Sequence, residues 1–247
     1  MMFKDKTVLI TGGASGIGAL LGECCAKEGA NVVLVDKNAE ALEKIKDKYE
    51  PEKILCVSAD VTDYKQAEKA CADAADKFGG IDVVVPCAGG AEGRLLGLNG
   101  NFKDYPIEAF DFSIDLNLKA AVYYAHAAVK YMIKQKSGVI VFLGSITGAE
   151  GSDSSIGYAT SKSALMNGVV KSFAQGGAPY NIRACCVAPG PVLTRPAMAG
   201  MKTLIGRAAE TQEIVDMIMY LASDKGAFVT GTTVLIDGGR YVMWNKN

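Results

Sequence analysis

Residues 7–18 read TVLITGGASGIG, and this stretch decides the fold. Its first four residues are aliphatic or β-branched and predict a short buried strand. A glycine-rich turn follows, and a helical pattern runs from 16 to 28. We therefore expect a strand–turn–helix unit here, with the turn at the carboxyl end of the strand.

The same alternation of apolar runs and helical patterns continues along the chain. Nearly all-apolar strands are typical of a parallel sheet buried between two layers of helices, so the pattern predicts an α/β fold with a doubly wound parallel sheet. The predicted strands cover residues 7–10, 31–36, 53–58, 81–85, 138–143, 181–187 and 232–236. The predicted helices cover residues 16–28, 39–49, 65–78, 107–135, 155–175 and 211–222.

Domain organisation is read from the absence of any break in composition. No proline- or serine-rich linker and no tandem repeat divides the sequence, so we expect one domain over residues 1–247. Two irregular stretches follow strand ends, at about 90–105 and 190–207. Ligands of open α/β sheets bind at the carboxyl ends of the strands, which makes both stretches candidate substrate loops.

The charge balance limits the classes of partner. The chain has 26 basic and 27 acidic residues and a net charge of −1, which argues against a nucleic-acid partner. No apolar run is long enough to span a membrane, and no signal-peptide pattern is present, so we expect no membrane partner.

Cysteine and histidine usage also restricts the chemistry. The seven cysteines include no CxxC pair and are interpreted as small buried thiols in a reducing cytoplasm. His126 is the single histidine of the sequence and lies in a helical pattern, where packing is the simplest interpretation. We therefore expect no metal site and no Ser-His-Asp triad, unless His126 serves in one.

The glycine-rich turn is a candidate phosphate site. Gly12, Gly16 and Gly18 are spaced G-x3-G-x-G between a strand and a helix. A dinucleotide pyrophosphate needs free backbone N–H groups at a helix N-terminus and no side chains in the way. Asp36 ends the second predicted strand, 18 residues after Gly18, where a carboxylate would accept the ribose hydroxyls and repel a 2′-phosphate. This favours NAD over NADP, although Lys37 would partly offset the repulsion.

The candidate reaction centre is Tyr158 with Lys162. Residues four apart share a helix face, and an ammonium near a phenol favours the phenolate, so the pair could exchange a proton with an alcohol or carbonyl. A tyrosine packing under a lysine stem is the alternative. Ser145 lies 13 residues before Tyr158 at a predicted strand end, where its hydroxyl could bind a substrate carbonyl. Asn117 stands in a long helical pattern, where a buried amide would need partners.

Taken together, these motifs resemble the short-chain dehydrogenase/reductase family, from about residue 6 to residue 239. The motifs occur in family order and are TGGASGIG (11–18), Asp36, Asp60-Val61, Cys87-Ala88-Gly89, Asn117, Ser145, YATSK (158–162), PGPVLT (189–194), Thr230-Gly231 and Asp237-Gly238-Gly239. The resemblance implies a Rossmann-type sheet of about seven strands with helices on both faces. It also implies an oxidoreductase that moves a hydride between NAD(H) and a secondary alcohol or ketone.

The resemblance further implies roles for individual residues. Tyr158 would be the general acid or base, Lys162 would also bind the nicotinamide ribose, Ser145 would orient the substrate oxygen, and Asn117 would hold a water that relays protons to Lys162. Asp60 and Val61 would flank the adenine, Val192 would bind the carboxamide, and Thr194 the carboxamide or the diphosphate. The implied cofactor-binding set is Gly12, Ser15, Gly16, Ile17, Gly18, Asp36, Asp60, Val61, Cys87, Ala88, Gly89, Tyr158, Lys162, Pro189, Gly190, Val192 and Thr194.

Three features depart from the family pattern. Pro86-Cys87 stands where the family usually has Asn-Asn, which removes an N–H and two amide side chains and puts a structural hydrogen bond in doubt. The segment 89–117 is long and contains Arg94, while the segment 195–206 is short for a substrate lid. We call the segment 89–117 the front loop and expect it to make some of the substrate contacts that the short lid, residues 195–206, cannot make. A solvated surface insertion is the alternative.

Three functions stay open at this point. The leading hypothesis is an NAD-dependent dehydrogenase or ketone reductase of a small-molecule alcohol or ketone. A 3-oxoacyl thioester reductase of lipid synthesis is the second, with Asp36 against it because such enzymes usually prefer NADPH. The third is an NAD-sensing binding protein without turnover. The resemblance also implies a homotetramer formed through the helices containing Asn117 and Tyr158, and the small residues there are compatible with one: Ala120, Ala127, Ala128, Ser155, Ala159 and Ser163.

Overall fold

A seven-stranded parallel sheet organises the molecule. The computed structural model describes residues 1–101 and 103–245, so Phe102 in the front loop and the last two residues of the predicted domain lie outside the described residues. The strand order is β3-β2-β1-β4-β5-β6-β7, and every pair is parallel. The strands are β1 Thr7–Thr11, β2 Asn31–Asp36, β3 Ile54–Ser58, β4 Val83–Pro86, β5 Gly138–Leu143, β6 Ile182–Pro189 and β7 Thr232–Ile236. The predicted doubly wound, Rossmann-type sheet is confirmed.

Helices connect the strands and cover both faces of the sheet. They are α1 Gly16–Lys27, α2 Ala39–Lys46, α3 Tyr64–Phe78, α4 Glu92–Leu96, α5 Ile107–Ile114, α6 Ala120–Gln135, α7 Thr147–Glu150, α8 Ile156–Ala164, α9 Val170–Gly177 and α10 Thr211–Ala222. Alternate strand residues enter different cores: Leu9 packs on the side of α3, α6 and α9, while Val8 and Ile10 pack on the side of α1 and α10. Strands with a core on each face need apolar residues at every position, which explains their composition.

Two predicted long helices each contain a π-turn. Asp115–Lys119 separates α5 from α6, and Leu165–Val169 separates α8 from α9. In the first, Ala120 N–H donates to the Asp115 carbonyl, five residues back. The Asn117 side chain donates to the Ser113 carbonyl at 3.0 Å, and therefore takes the acceptor that an α-helix would use one turn back. The π-turn thus occurs where the Asn117 side chain competes with the Asn117 backbone N–H for the Ser113 carbonyl.

The front loop is more ordered than the sequence indicates. The stretch predicted as irregular at about 90–105 contains α4, which ends at Gly97 in a left-handed conformation with φ 67°. The Leu98 N–H closes this short helix by donating to the Gly93 carbonyl at 2.8 Å. Five residues are too few to produce a helical periodicity, which is why the pattern is not readable in the sequence.

Among the described residues, no helix combines the length and the apolar character that crossing a membrane requires.

Candidate active site

One open cleft of about 1020 Å³ lies along the carboxyl ends of the strands. It is lined by every predicted site residue except Asn117, which is buried at 1% exposure. The lining set is Gly12, Ser15, Gly16, Ile17, Gly18, Asp36, Asp60, Val61, Cys87, Ala88, Gly89, Ser145, Tyr158, Lys162, Pro189, Gly190, Val192 and Thr194. Residues from all parts of the chain meet here because parallel strands bring their following loops to one edge of the sheet.

The turn between β1 and α1 is tightly folded. A Cβ on Gly18 would clash with the Gly12 carbonyl oxygen, so only glycine fits there. The Ala14 N–H donates to the Asp36 carboxylate at 3.2 Å, which ties the turn to the end of β2. Ser15 is the N-cap of α1, and its side chain makes no capping hydrogen bond. The first N–H groups of a 12-residue helix therefore face the cleft, where the positive end of its dipole favours an anion.

Tyr158 and Lys162 lie on one face of α8. Lys162 is buried at 4% exposure, and its Nζ donates to the Leu143 carbonyl at 2.7 Å. The same Nζ lies 5.5 Å from the centre of the Tyr158 ring. The Tyr158 hydroxyl makes no hydrogen bond within the part of the chain that the structure describes, so it is open to a molecule in the cleft. Ser145, just past β5, accepts the Thr147 N–H at 3.2 Å and keeps its own proton to donate.

Asn117 lies behind the cleft and holds the loop after β4. Its Oδ1 accepts the Gly90 N–H at 2.8 Å. Its Nδ2 lies 3.0 Å from the Gly90 carbonyl and 3.1 Å from Ser113 Oγ. Both amide hydrogens therefore have acceptors in the protein. The amide hydrogens are used by Gly90 and by Ser113 of α5, and the expected role of Asn117 in a proton relay stays a prediction.

Known proteins with similar sequences decide the family. The profile described as short chain dehydrogenase matches residues 6–204. Trans-4-hydroxycyclohexanecarboxylate dehydrogenase of Sinomonas cyclohexanicum is 36% identical over 248 residues, which cover 95% of this chain and 92% of that protein. The chain belongs to the short-chain dehydrogenase/reductase family.

Other members of the short-chain dehydrogenase/reductase family resemble the chain over nearly its whole length. The 3-oxoacyl-[acyl-carrier-protein] reductase FabG of Thermotoga maritima is 36% identical, with 97% of this chain and 99% of that protein covered. The crystal structure of levodione reductase superposes with a TM-score of 0.88 at 28% identity, covering 98% of this chain and all of that one. The chain is an enzyme of this family, an oxidoreductase that transfers a hydride at a CH–OH or carbonyl carbon.

The loop that departs from the short-chain dehydrogenase/reductase pattern is stabilised by other contacts. Pro86 pairs with Thr11 in the ladder between β4 and β1, and the Thr11 hydroxyl accepts the Ala88 N–H at 3.1 Å. Asn117 binds Gly90 further along the same loop. Burial raises the pKa of the Cys87 thiol to about 12, so the thiol is neutral at physiological pH. The hydrogen bond that the replaced Asn-Asn put in doubt is thus compensated by Thr11 and Asn117.

Glu92 is a buried residue that the sequence analysis missed. Its side chain is 1% exposed and accepts the N–H groups of Gly157 at 2.8 Å and Tyr158 at 3.1 Å. It also accepts the Ser113 hydroxyl at 3.0 Å. Glu92 therefore connects the start of α8 to the residue that supports Asn117. A glutamate in a polar loop gives no local signal of burial; only the tertiary fold reveals it.

His126 and the cysteines lie outside the reaction centre, apart from Cys87. His126 Nδ1 lies 2.7 Å from the Tyr64 hydroxyl on an exposed helix face. No group of three or more metal-binding side chains occurs in residues 1–101 and 103–245.

Proposed function

We propose that the chain is an NAD-dependent dehydrogenase or ketone reductase in which Tyr158 is the general acid and base. One observation carries the proposal: the glycine-rich turn after β1, Asp36 at the end of β2 and the Tyr158–Lys162 pair all open into the same cleft. The turn suits a dinucleotide, and the pair suits proton exchange with a substrate oxygen.

The residues of the cleft fit a nicotinamide dinucleotide. A Cβ at Gly18 would collide with the Gly12 carbonyl, so the tight turn requires glycine there. The N-terminus of α1, whose N-cap Ser15 makes no capping hydrogen bond, offers N–H groups to a pyrophosphate. Asp36 uses one lone pair of each carboxylate oxygen, for Ala14 and Asn38, and keeps others free for ribose hydroxyls. In the proposal, Asp60 and Val61 flank the adenine and Val192 and Thr194 hold the nicotinamide end. The carboxylate at Asp36 would repel a 2′-phosphate, which supports NAD over NADP.

The bound cofactor supplies or accepts the hydride, and the protein handles the proton. In reduction, the Tyr158 hydroxyl donates its proton to the carbonyl oxygen; in oxidation, the phenolate accepts the proton of the alcohol. Ser145 donates a hydrogen bond that orients the substrate oxygen. Lys162 is held by the Leu143 carbonyl on the same helix face as Tyr158, where it would also bind the nicotinamide ribose. Asn117 fixes the loop at Gly89 and Gly90 next to the Lys162 ammonium.

The named relatives support two substrate classes. The relative from Sinomonas is named for a hydroxycyclohexanecarboxylate, a cyclic secondary alcohol, and favours a secondary alcohol or ketone. The relative from Thermotoga is named as a 3-oxoacyl-[acyl-carrier-protein] reductase, and favours the thioester alternative. Asp36 argues for the first, because the second class usually prefers NADPH.

The experiment that tests the function compares substrates, cofactors and one variant. Wild-type enzyme is assayed with cyclic secondary alcohols, hydroxysteroids, polyols and 3-hydroxyacyl thioesters, using NAD and NADP in parallel and following nicotinamide absorbance. We expect turnover of a secondary alcohol with NAD and a lower kcat/KM with NADP. Turnover only of the thioester with NADP would establish the alternative.

The variant Tyr158→Phe tests the role of the hydroxyl. It removes one oxygen and leaves the ring over Lys162, so NADH should still bind, as followed by its fluorescence, while kcat falls by about 10²–10⁴-fold. Full activity in Tyr158→Phe would refute the mechanism. NADH binding without turnover of any substrate in the wild type would support a sensing protein instead.

Residues 1–247 are also proposed to form one domain in a cytoplasmic protein. The two cores share one sheet, which supports a single domain. All seven cysteines are free thiols, and buried unpaired thiols suit a reducing compartment.

A further inference from the structure

We propose that Arg94 and Arg195 form a subsite for an oxyanion of the substrate, a carboxylate or a phosphate carried on an apolar body. The proposal rests on the proposed function, because it assigns the substrate half of the same cleft. The reacting C–O group would lie at Tyr158 and the anionic group at the two guanidiniums.

Arg94 lies close to the reaction centre. It follows Glu92 in α4 and lines the cleft. A Cβ on Gly90 would clash with Arg94 Nη2, so the guanidinium rests directly on this glycine. Gly90 is the residue that Asn117 holds from both its N–H and its carbonyl. The guanidinium thus lies beside Gly90 and Asn117 and not at the tip of the front loop.

Arg195 lines the same cleft from the segment after β6, directly after Thr194. The pKa of the Arg94 guanidinium is lowered by burial and by the charge of Arg195, whereas Tyr158 acts in the opposite direction. The two cations and the tyrosine therefore lie within electrostatic range of one another. Both arginines stay charged, since a guanidinium does not lose its proton in proteins.

Neither arginine has an anionic partner in the part of the chain that the structure describes. Arg94 makes no side-chain hydrogen bond there, and Arg195 contacts only Met198 Sδ, at 3.3 Å. The acidic residues that line the cleft are engaged elsewhere: Asp36 with Ala14, Asp60 with Thr62, and Asp115 with Lys119. Two facing guanidiniums repel each other, and an oxyanion between them would relieve that repulsion through charge-assisted hydrogen bonds.

The surroundings of the two arginines are apolar. Leu95 and Leu96 are 39% and 43% exposed on the front-loop side of the cleft. Met198 and Met201 line the facing wall. An apolar body would cover these side chains, while the forked guanidiniums match the geometry of a carboxylate or phosphate. The combination selects an amphipathic acid over a neutral or polyhydroxylated substrate.

The subsite is tested by measuring KM for ketone reduction with NADH. Each anionic ketone is compared with a matched neutral ketone. The carboxylate arm uses 4-oxopentanoate, 5-oxohexanoate and 3-oxocyclohexanecarboxylate, each against its methyl ester. The phosphate arm uses 4-oxopentyl phosphate against 5-hydroxypentan-2-one, the same ketone without the phosphate. We expect the wild-type KM to be lower for the acid than for its neutral partner in one arm, and that arm identifies the oxyanion.

Two neutral variants then assign the preference to residues. Arg94→Gln and Arg195→Gln should each raise KM for the preferred acid by about 10- to 100-fold, the loss expected for one charge-assisted hydrogen bond, and leave KM for the neutral partner unchanged. Arg94→Lys should give an intermediate value, because it keeps the charge but loses the fork. Lys103→Gln removes an exposed cation of the same front loop that does not line the cleft, and should change nothing.

The outcomes separate this proposal from the proposed function. Equal KM values for acids and neutral partners, with active enzyme, would overturn the subsite and leave the function standing. A rise in KM for NADH in Arg195→Gln without a rise for the acid would assign Arg195 to the cofactor and also overturn it. If no ketone is turned over, calorimetric titration of 5-oxohexanoate and its ester into Tyr158→Phe saturated with NADH decides. Binding of 5-oxohexanoate but not of its ester supports the subsite. Equal affinity for the two compounds refutes it.

Discussion

Glu92 is a carboxylate whose three hydrogen bonds all lead to the proposed reaction centre. Two of its donors are the first N–H groups of α8, which carries Tyr158 and Lys162. A negative charge at a helix N-terminus is favoured by the helix dipole. The third donor is the Ser113 hydroxyl, which also accepts a hydrogen bond from the Asn117 amide. Glu92 is thus a positioning residue: it touches no reacting atom but fixes the helix that carries them.

Glu92→Gln should lower kcat more than it changes substrate or cofactor binding. Glutamine keeps the shape but replaces one acceptor oxygen with an NH2 group that faces N–H donors. We expect kcat to fall about 10-fold and the free energy of unfolding to drop by about 1–3 kcal/mol, the cost of an unsatisfied buried group. Steady-state kinetics and thermal unfolding measure the two effects. Glu108→Gln, on an exposed position at the start of α5, is the matched control and should alter neither.

A purely structural Glu92 would give a different result. The unfolding temperature of Glu92→Gln would fall while kcat and KM of the folded enzyme stayed at wild-type values. Recovery of kcat in Glu92→Asp, relative to Glu92→Gln, would further support the positioning role, because the shorter side chain restores the acceptors.

Candidate site residues that lie at a fixed spacing on one element could be predicted from the sequence. Those that are brought to the site by tertiary contacts could not. Tyr158 and Lys162 are four residues apart on one helix, so the sequence places them together. Asp36 follows from the end of an apolar strand. Glu92 and Arg94 lie in α4, a helix too short to be predicted, and nothing in the local pattern indicates that one is buried and the other lines the cleft.

The packing of α8 against α5 depends on a glycine. A Cβ on Gly157 would lie 2.6 Å from Ser113 Cβ and 3.2 Å from the Phe110 carbonyl oxygen. The same residue donates its N–H to Glu92. The two helices can approach closely enough to share the Glu92–Ser113 contact only because this side chain is missing.

Gly157→Ala should therefore separate α8 from α5 and disturb the reaction centre. Overpacking of this kind costs about 1–3 kcal/mol of unfolding free energy, and we expect it together with a loss of kcat. Gly176→Ala is the matched control, because Gly176 lies in α9 with nothing within 4 Å of an added Cβ. That change should slightly stabilise the protein, since alanine has the higher helix propensity. Denaturant unfolding and kinetics of both variants check the prediction; equal effects of the two would contradict it.

At the scale of elements, the apolar pattern predicted the strands and long helices but missed their interruptions. Strands β2, β5 and β7 begin and end at the predicted residues. β2 and β5 are mostly buried, which explains their continuous apolar runs. Strand β4 begins at Val83 and not at residue 81, where the Gln135 side chain pairs with the Ile81 N–H and carbonyl in place of a neighbouring strand. The π-turns were not predictable, because an i+5 bond within a helix leaves the apolar periodicity almost unchanged.

Three of the small helix residues expected at a subunit interface pack inside the chain. Ala120, Ala127 and Ala128 are 3%, 1% and 0% exposed and belong to the core between the sheet and α6. Ser155 and Ser163 are half-buried and stay compatible with the predicted interface. A homotetramer has more than one kind of interface and therefore needs a second surface as well.

Strand β7 offers such a surface at the edge of the sheet. Among the described residues β7 pairs with β6 alone, and the unpaired edge of a strand favours pairing or covering by another chain. Large apolar side chains in and around it are exposed: Phe228 at 103%, Leu235 at 37%, Tyr241 at 49%, Val242 at 66% and Trp244 at 104%. Monomeric proteins seldom expose a contiguous apolar patch of this kind.

We predict that the wild-type protein is a homotetramer and that Phe228→Glu lowers its oligomeric state. A charge in an apolar interface must be desolvated when the subunits associate, so the interface containing residue 228 should open and leave smaller species. Light scattering after size exclusion measures the mass of both proteins at several concentrations. Tyr180→Glu introduces the same charge at another exposed aromatic residue, 41% accessible and distant in sequence from β7, and should leave the mass unchanged. A wild-type monomer would refute the tetramer outright, whereas an intact Phe228→Glu tetramer would move the interface away from β7.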